Sequence, residues 1–308
     1  MDAIPEFHSI SRSYVAIHPN PKGIVQFIGS FVFGSFPIHY YKSLFQDLFQ
    51  KGYTIFVYKF PLNPLGFDHW KIAISLLEEQ FRLRLAVIQK IIQDGQTPKE
   101  ELEKYLNNSN YYWLGHSLGC KYIALLEILS NAHSERDFVL KHCLGTSFNK
   151  VESDIISASF TINQAVEEIE NLVERKIEYQ NNFIINQPSL LLAPEISNTA
   201  GVENPFLNLF VFPNGSQTRC MITQSKKLFN LTAIISFKSD CIAKDDVSFF
   251  IEQLHLRKCP LLHFELEGWH LEPLATENSN LVDYVDKVLE TLRKRLLEGC
   301  KAEVPLSS

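Results

Sequence analysis

Ser117, Asp240 and His270 lie far apart in the chain, yet their types and order are those needed for covalent acyl chemistry. Ser117 sits in Gly115-His116-Ser117-Leu118-Gly119, after the apolar run Tyr111-Tyr112-Trp113-Leu114 and before a helical pattern at 118–129 marked by Ile123, Leu126 and Ile128. A strand that bends sharply into a helix leaves no room for side chains two places either side of the apex. Glycine suits both places, and the serine hydroxyl is lifted clear of the backbone. The same bend turns backbone N–H groups at a helix N-terminus toward the point where an oxyanion would form. Such a serine needs a base within reach and an acid that fixes the base's tautomer.

His270 ends the turn Glu267-Gly268-Trp269-His270 after the last candidate strand, 261–266; of the ten histidines it alone follows a Gly-x turn at that position. Asp240 follows the preceding strand, 231–237, through Lys238-Ser239. Parallel neighbouring strands deliver their C-terminal loops to one sheet edge, so the three side chains are expected to converge there. Asp245 and Asp246 stay open as helix-capping residues or as the acid, and Asp154 occupies another position from which an acid can be drawn. Oxyanion donors are expected from the Leu118 N–H and from Ser30 or Phe31 in the glycine-punctuated loop 29–35. His116 should line the floor near Ser117, and His18 and His263 should satisfy their rings locally. Asp68 should cap a helix, with His69 partly exposed in its first turn.

The elements that must position these groups follow from patterning. A strand at 13–18 is expected to pair as a hairpin with 24–28 across Pro19-Asn20-Pro21-Lys22-Gly23. Helix 40–51, strand 53–58 and a long helix from Asp68 to Gly95 come next, the last marked by Trp70, Ile74, Leu77, Phe81, Leu85, Ile88 and Ile92. Residues 138–145 read as a further strand. Between 150 and 230 the rhythm changes: an amphipathic helix through Ile162, Val166, Ile169 and Val173, irregular chain with Pro188, Pro194 and Pro205, an apolar run at 206–212, and a helix at 216–228. Helices at 245–256 and 280–297 complete the chain. The expected plan is an α/β core, 1–149 and 231–308, with 150–230 as a cap inserted between the sixth and seventh strands of a mostly parallel sheet flanked by helices.

Composition sets the outer limits. The chain has 308 residues, 45% of them hydrophobic, with a net charge of -6 and no basic stripe interleaved with aromatics, which argues against a nucleic-acid partner. Arg293-Lys294-Arg295 falls near a helix C-terminus, where cations complement the dipole. The six cysteines form no C-x-x-C pair, and several fall inside apolar strands or helices, where a free thiol packs as a small hydrophobe, a pattern that fits a reducing compartment. No metal and no cofactor is implied. With neither a signal-like N-terminus nor a long apolar run, a soluble cytoplasmic protein is expected.

The segments 27–34, 114–121, 235–240 and Gly268-Trp269-His270-Leu271-Glu272-Pro273-Leu274 resemble the blocks of a poorly characterised alpha/beta-hydrolase family of cyanobacteria and plastid-bearing lineages, catalogued mainly as a domain of unknown function. The likeness spans about Ser13 to Leu274. It implies the alpha/beta-hydrolase fold with Ser117 and His270 in catalytic positions. Many hydrolases carry His-Gly before the oxyanion loop, where Ile28-Gly29 stands here. The expected activity is ester hydrolysis on a small-molecule acyl ester or lipid, with transient contact to a membrane surface. The alternatives are acyl transfer or thioester cleavage through the same acyl-serine, and a silent binding protein.

Overall fold

The computed structural model describes residues 4–59, 68–95, 99–177, 183–197, 211–275 and 279–300. Its centre is an eight-stranded sheet of β1 (His8–Ile10), β2 (Ser13–Ala16), β3 (Gly23–Ile28), β4 (Tyr53–Tyr58), β5 (Tyr111–His116), β6 (Ser189–Leu192), β7 (Thr232–Phe237) and β8 (Leu262–Leu266), in the order β1-β2-β4-β3-β5-β6-β7-β8. From β4 through β8 all neighbours are parallel, whereas β1 and β2 are antiparallel. β3 to β7 are buried on both faces, which is why they read as continuous apolar runs. The edge strand β8 alternates half-buried and exposed positions.

Parallel neighbours need crossover connections, and helices supply them on both faces. α1 (Pro37–Tyr40) and α2 (Lys42–Gln50) join β3 to β4, and α2 packs against α10 (Ser279–Leu297) on one face. On the other lie α3 (His69–Asp94), α5 (Leu118–Leu129) and α8 (Gly215–Gln224), with α9 (Lys244–Leu254) joining β7 to β8. α3 starts where expected: the Asp68 carboxylate accepts the Lys71 N–H.

Several expectations are corrected. β2 does not pair with β3; it lies antiparallel to β4, with Tyr14 opposite Val57, because β3 already has β4 and β5 on its two edges. Residues 138–145 are not a strand but the end of α6 (His133–Leu144), with Glu135 in its first turn and Lys141 and His142 in its last, as the helix dipole favours. Segment 150–230 is not all cap, since β6 stands in mid-sheet between β5 and β7. The long helical excursion therefore falls between β5 and β6. Its helix α7 (Phe148–Val173) lies along α3, tied near its start by Lys150 to Asp68 and just past its end by Arg175 to Glu103 of α4 (Lys99–Leu106). These ties make α7 an outer layer on that face. Of the apolar run at 206–212, residues 206–210 lie outside the described residues.

Four of the cysteines are bonded: Cys143 of α6 to Cys220 of α8, and Cys259 to Cys300. Cys120 is buried and free, and Cys241 exposed and free. The free-thiol expectation fails for the bonded pairs, and with it the argument for a reducing compartment, since disulfides persist under oxidising conditions. Among the described residues no helix is long and apolar enough to cross a membrane.

Candidate active site

The bend at Ser117 is real: after β5 its backbone adopts φ 54 and ψ -120, a conformation rare outside glycine, and α5 begins at the next residue. Neighbouring strands hold this strained turn. The Ser117 N–H donates to the Leu192 carbonyl, and the Ser117 carbonyl accepts from Cys120 and Glu195. The glycine at 119 is explained by close approach, because a Cβ there would lie 2.1 Å from the Ile28 carbonyl oxygen. The elbow thereby packs on the end of β3, where the loop carrying Ser30 and Phe31 begins.

Ser117, His270 and Asp240 meet at the C-terminal edge of the sheet. His270 Nε2 is 2.9 Å from Ser117 Oγ, and His270 Nδ1 is 2.9 Å from Asp240 Oδ2. The second carboxylate oxygen of Asp240 accepts the N–H groups of Ile242 and Ala243. Burial works to raise the Asp240 pKa, but His270 and these two N–H groups outweigh it and hold the carboxyl below its usual range. An ionised Asp240 fixes the proton of His270 on Nδ1, leaving Nε2 as the acceptor facing serine. The two loops are laced together, with the Ser239 N–H donating to the Gly268 carbonyl and Lys238 paired with Glu267.

His116 is a second brace. Its Nε2 is 2.8 Å from the His270 carbonyl oxygen and must carry a proton to bond there, so its Nδ1 accepts from the Tyr41 hydroxyl at 2.8 Å. The Tyr41 oxygen in turn accepts the Ser30 N–H. Burial, then the neighbouring His270, draws the His116 pKa down to about 3, so the ring is neutral. This chain ties the backbone of His270 to the elbow and to the loop after β3. The Ser30 N–H, one of the expected oxyanion donors, is thereby engaged by the Tyr41 oxygen. Leu118 heads α5, whose first N–H groups have no acceptor within the helix.

The alternative acids are elsewhere. Asp154 lies within α7 and Asp245 in the first turn of α9. Asp246 is buried against the Ile196 and Ser197 N–H groups and Arg219. His263 meets Ser236, and His18 accepts from the Asn20 N–H. His69 departs from its expected partial exposure, being fully buried with Nδ1 3.1 Å from the Tyr122 hydroxyl. Among the described residues no three His, Cys, Asp or Glu side chains converge as a metal site.

Two participants escaped the sequence reading, Tyr41 and Glu195. Glu195 Oε2 is 3.1 Å from Ser117 Oγ, and the residue is 2% exposed. A signal existed for Glu195: it stands just past the apolar run Ser189-Leu190-Leu191-Leu192, where an adjacent parallel strand would deliver a carboxylate. Nothing in the sequence distinguishes Tyr41 from the other tyrosines.

Solved structures similar to this chain include hydrolases at low identity. A sugar hydrolase of Lactococcus lactis shares 12% identity over 95% of this chain and 99% of its own, with a TM-score of 0.51. A thermophilic carboxylesterase cloned from a metagenomic library shares 11% over 96% and 91%, TM-score 0.49. The esterase Est2 of Thermogutta terrifontis shares 12% over 97% and 96%, TM-score 0.47. At such identity the likeness to the Lactococcus lactis enzyme is one of fold. No curated protein matches the chain in sequence. The sheet order and the elbow are those of the alpha/beta-hydrolase fold, and the chain belongs to the family described as protein of unknown function DUF1350, whose sequence profile matches residues 6–279.

Proposed function

We propose that the protein is a serine hydrolase that cleaves a carboxylic ester with an apolar acyl group. Ser117 is the nucleophile, His270 the base and then the acid, and Asp240 the group that orients His270. The supporting observation is the unbroken line of hydrogen bonds from Asp240 through His270 to Ser117, with both links at 2.9 Å. Ser117 Oγ attacks the ester carbonyl carbon while its proton passes to His270 Nε2. The carbonyl π electrons move to oxygen, where the Leu118 N–H at the head of α5 would hold the charge. Collapse of the tetrahedral adduct breaks the bond to the alkoxy group, which takes the proton from Nε2 and leaves as an alcohol. Water then repeats the sequence on the acyl-serine and releases the acid.

The loops around the site favour an apolar substrate. Val32 lies in the oxyanion loop and Phe36 follows it, Ile242 follows Asp240, and Trp269 and Leu271 flank His270; all are exposed, Trp269 by 70%. A small-molecule acyl ester or a lipid suits this rim, and transient contact with a membrane surface belongs to the same reading. Ser117→Ala should abolish hydrolysis of a short-chain acyl nitrophenyl ester, with an unchanged circular-dichroism spectrum and unfolding temperature. Undiminished turnover in that variant would remove the mechanism.

A further inference from the structure

Glu195 is built onto the nucleophile. Ala193, two residues earlier, is fully buried with φ 45, a positive value unusual for alanine. The Glu195 N–H donates to the Ser117 carbonyl at 3.2 Å, and the next two N–H groups, of Ile196 and Ser197, donate to buried Asp246. The backbone is thus pinned on both sides of the carboxylate that lies 3.1 Å from Ser117 Oγ. Ser117 has one hydroxyl proton and two neighbours able to accept it, Glu195 Oε2 and His270 Nε2.

We infer that Glu195 is a positioning residue that sets where the Ser117 proton points, so that the nucleophile is primed only when Glu195 carries a proton of its own. This rests on the serine-hydrolase reading above. With Glu195 ionised, the charge-assisted hydrogen bond from serine to carboxylate prevails, and the proton His270 must abstract points away from it. The carboxylate also opposes negative charge developing at the adjoining carbonyl. With Glu195 protonated, its O–H donates to Oγ and the serine O–H turns to Nε2. During acylation the serine proton moves to Nε2 and on to the leaving alkoxide, while Glu195 keeps its proton.

Among the described residues, the groups facing Glu195 define the controls. From α5 come the Cys120 thiol and Lys121, whose pKa is lowered to about 7 by burial and partly restored by Asp246 and Glu195. From α9 comes Asp246, paired with Arg219 of α8, and across the serine stand His270 and Asp240. Lys121 titrates in a range that overlaps the effect sought, so Lys121→Met must be measured beside the Glu195 variants.

The test is the rate of covalent labelling by a fluorophosphonate, followed by intact-protein mass spectrometry from mildly acidic to alkaline pH. Wild-type labelling should rise and then fall as pH is raised. Glu195→Gln, whose amide donates to Oγ at every pH, should rise to a plateau and label at least about tenfold faster at the alkaline end. Glu195→Ala should share that plateau, and Lys121→Met should keep the wild-type fall. Labelling of Glu195→Gln where wild type stays silent would also support the inference. It is overturned if wild type and Glu195→Gln share one profile, if Glu195→Gln is slower throughout, or if the alkaline fall disappears in Lys121→Met instead. No labelling of either protein at any pH would sink the hydrolase reading itself, and this inference with it.

Discussion

His116 and His270 are buried neighbours, their ring centroids 5.4 Å apart, yet they differ in what faces Nδ1. For His270 it is the carboxylate of Asp240, held ionised by His270 and two backbone N–H groups. For His116 it is the hydroxyl of Tyr41, whose own pKa burial pushes far upward, so no compensating negative charge is present. A buried imidazole beside a neutral partner stays neutral and acts as a fixed brace. One between a carboxylate and a serine hydroxyl can accept a proton and give it back. Position in the fold does not separate the two rings; the partner of one nitrogen does.

The sharpest way to break this comparison is to exchange the losses. His270→Gln should cost on the order of 10⁴ to 10⁶ in turnover of a nitrophenyl ester with little change in stability. His116→Leu should reverse the balance: about a tenfold loss in turnover, but destabilisation of about 1–3 kcal/mol for each polar group left buried without a partner, read from denaturant unfolding. Equal losses of activity in the two variants would erase the distinction.

A second effect sharpens it through pH. The folded chain leaves His116 unprotonated down to about 3, whereas an unfolded chain protonates it near 6.5. Between those values the unfolded state holds more protons, so stability rises with pH across the window and is lost as pH falls through it. The term is on the order of a few kcal/mol. Unfolding free energy should therefore drop between about pH 6.5 and pH 3 in wild type and be flatter in His116→Leu. The smallest effect is expected at Lys121, fully buried with an Nζ that finds no hydrogen-bond partner among the described residues. Lys121→Met should unfold at the same temperature as wild type or a little higher, because an unpaired buried amine is replaced by an apolar side chain of similar length. A fall of several degrees would show that the amine is satisfied in solution.

Much of the scaffold was legible because its signals are local. The helices at 69–94 and 279–297 follow from apolar spacing, and the elbow follows from two glycines around a serine between a strand and a helix pattern. Legibility failed where local cues were weak or opposed. β6 is four residues between Pro188 and Pro194, too short to compete with its flanking breakers until β5 and β7 supply hydrogen-bond partners on both sides. α6 carries Phe138-Val139-Leu140, an apolar run too short for periodicity to tell helix from strand. The disulfides join residues 77 and 41 positions apart with no spacing motif to announce them.

The chain by itself pointed to Ser117, Asp240 and His270 and to their order, since a serine elbow, a following carboxylate and a late histidine are local patterns tied to strand ends. Only the tertiary structure decided how protons are shared among them. Tyr41, His116 and the His270 carbonyl, like Ser117 and Glu195, come from different strands and loops, and hydrogen bonds form only between groups that packing brings within about 3 Å. That distance depends on the sheet order, which no short stretch of sequence encodes.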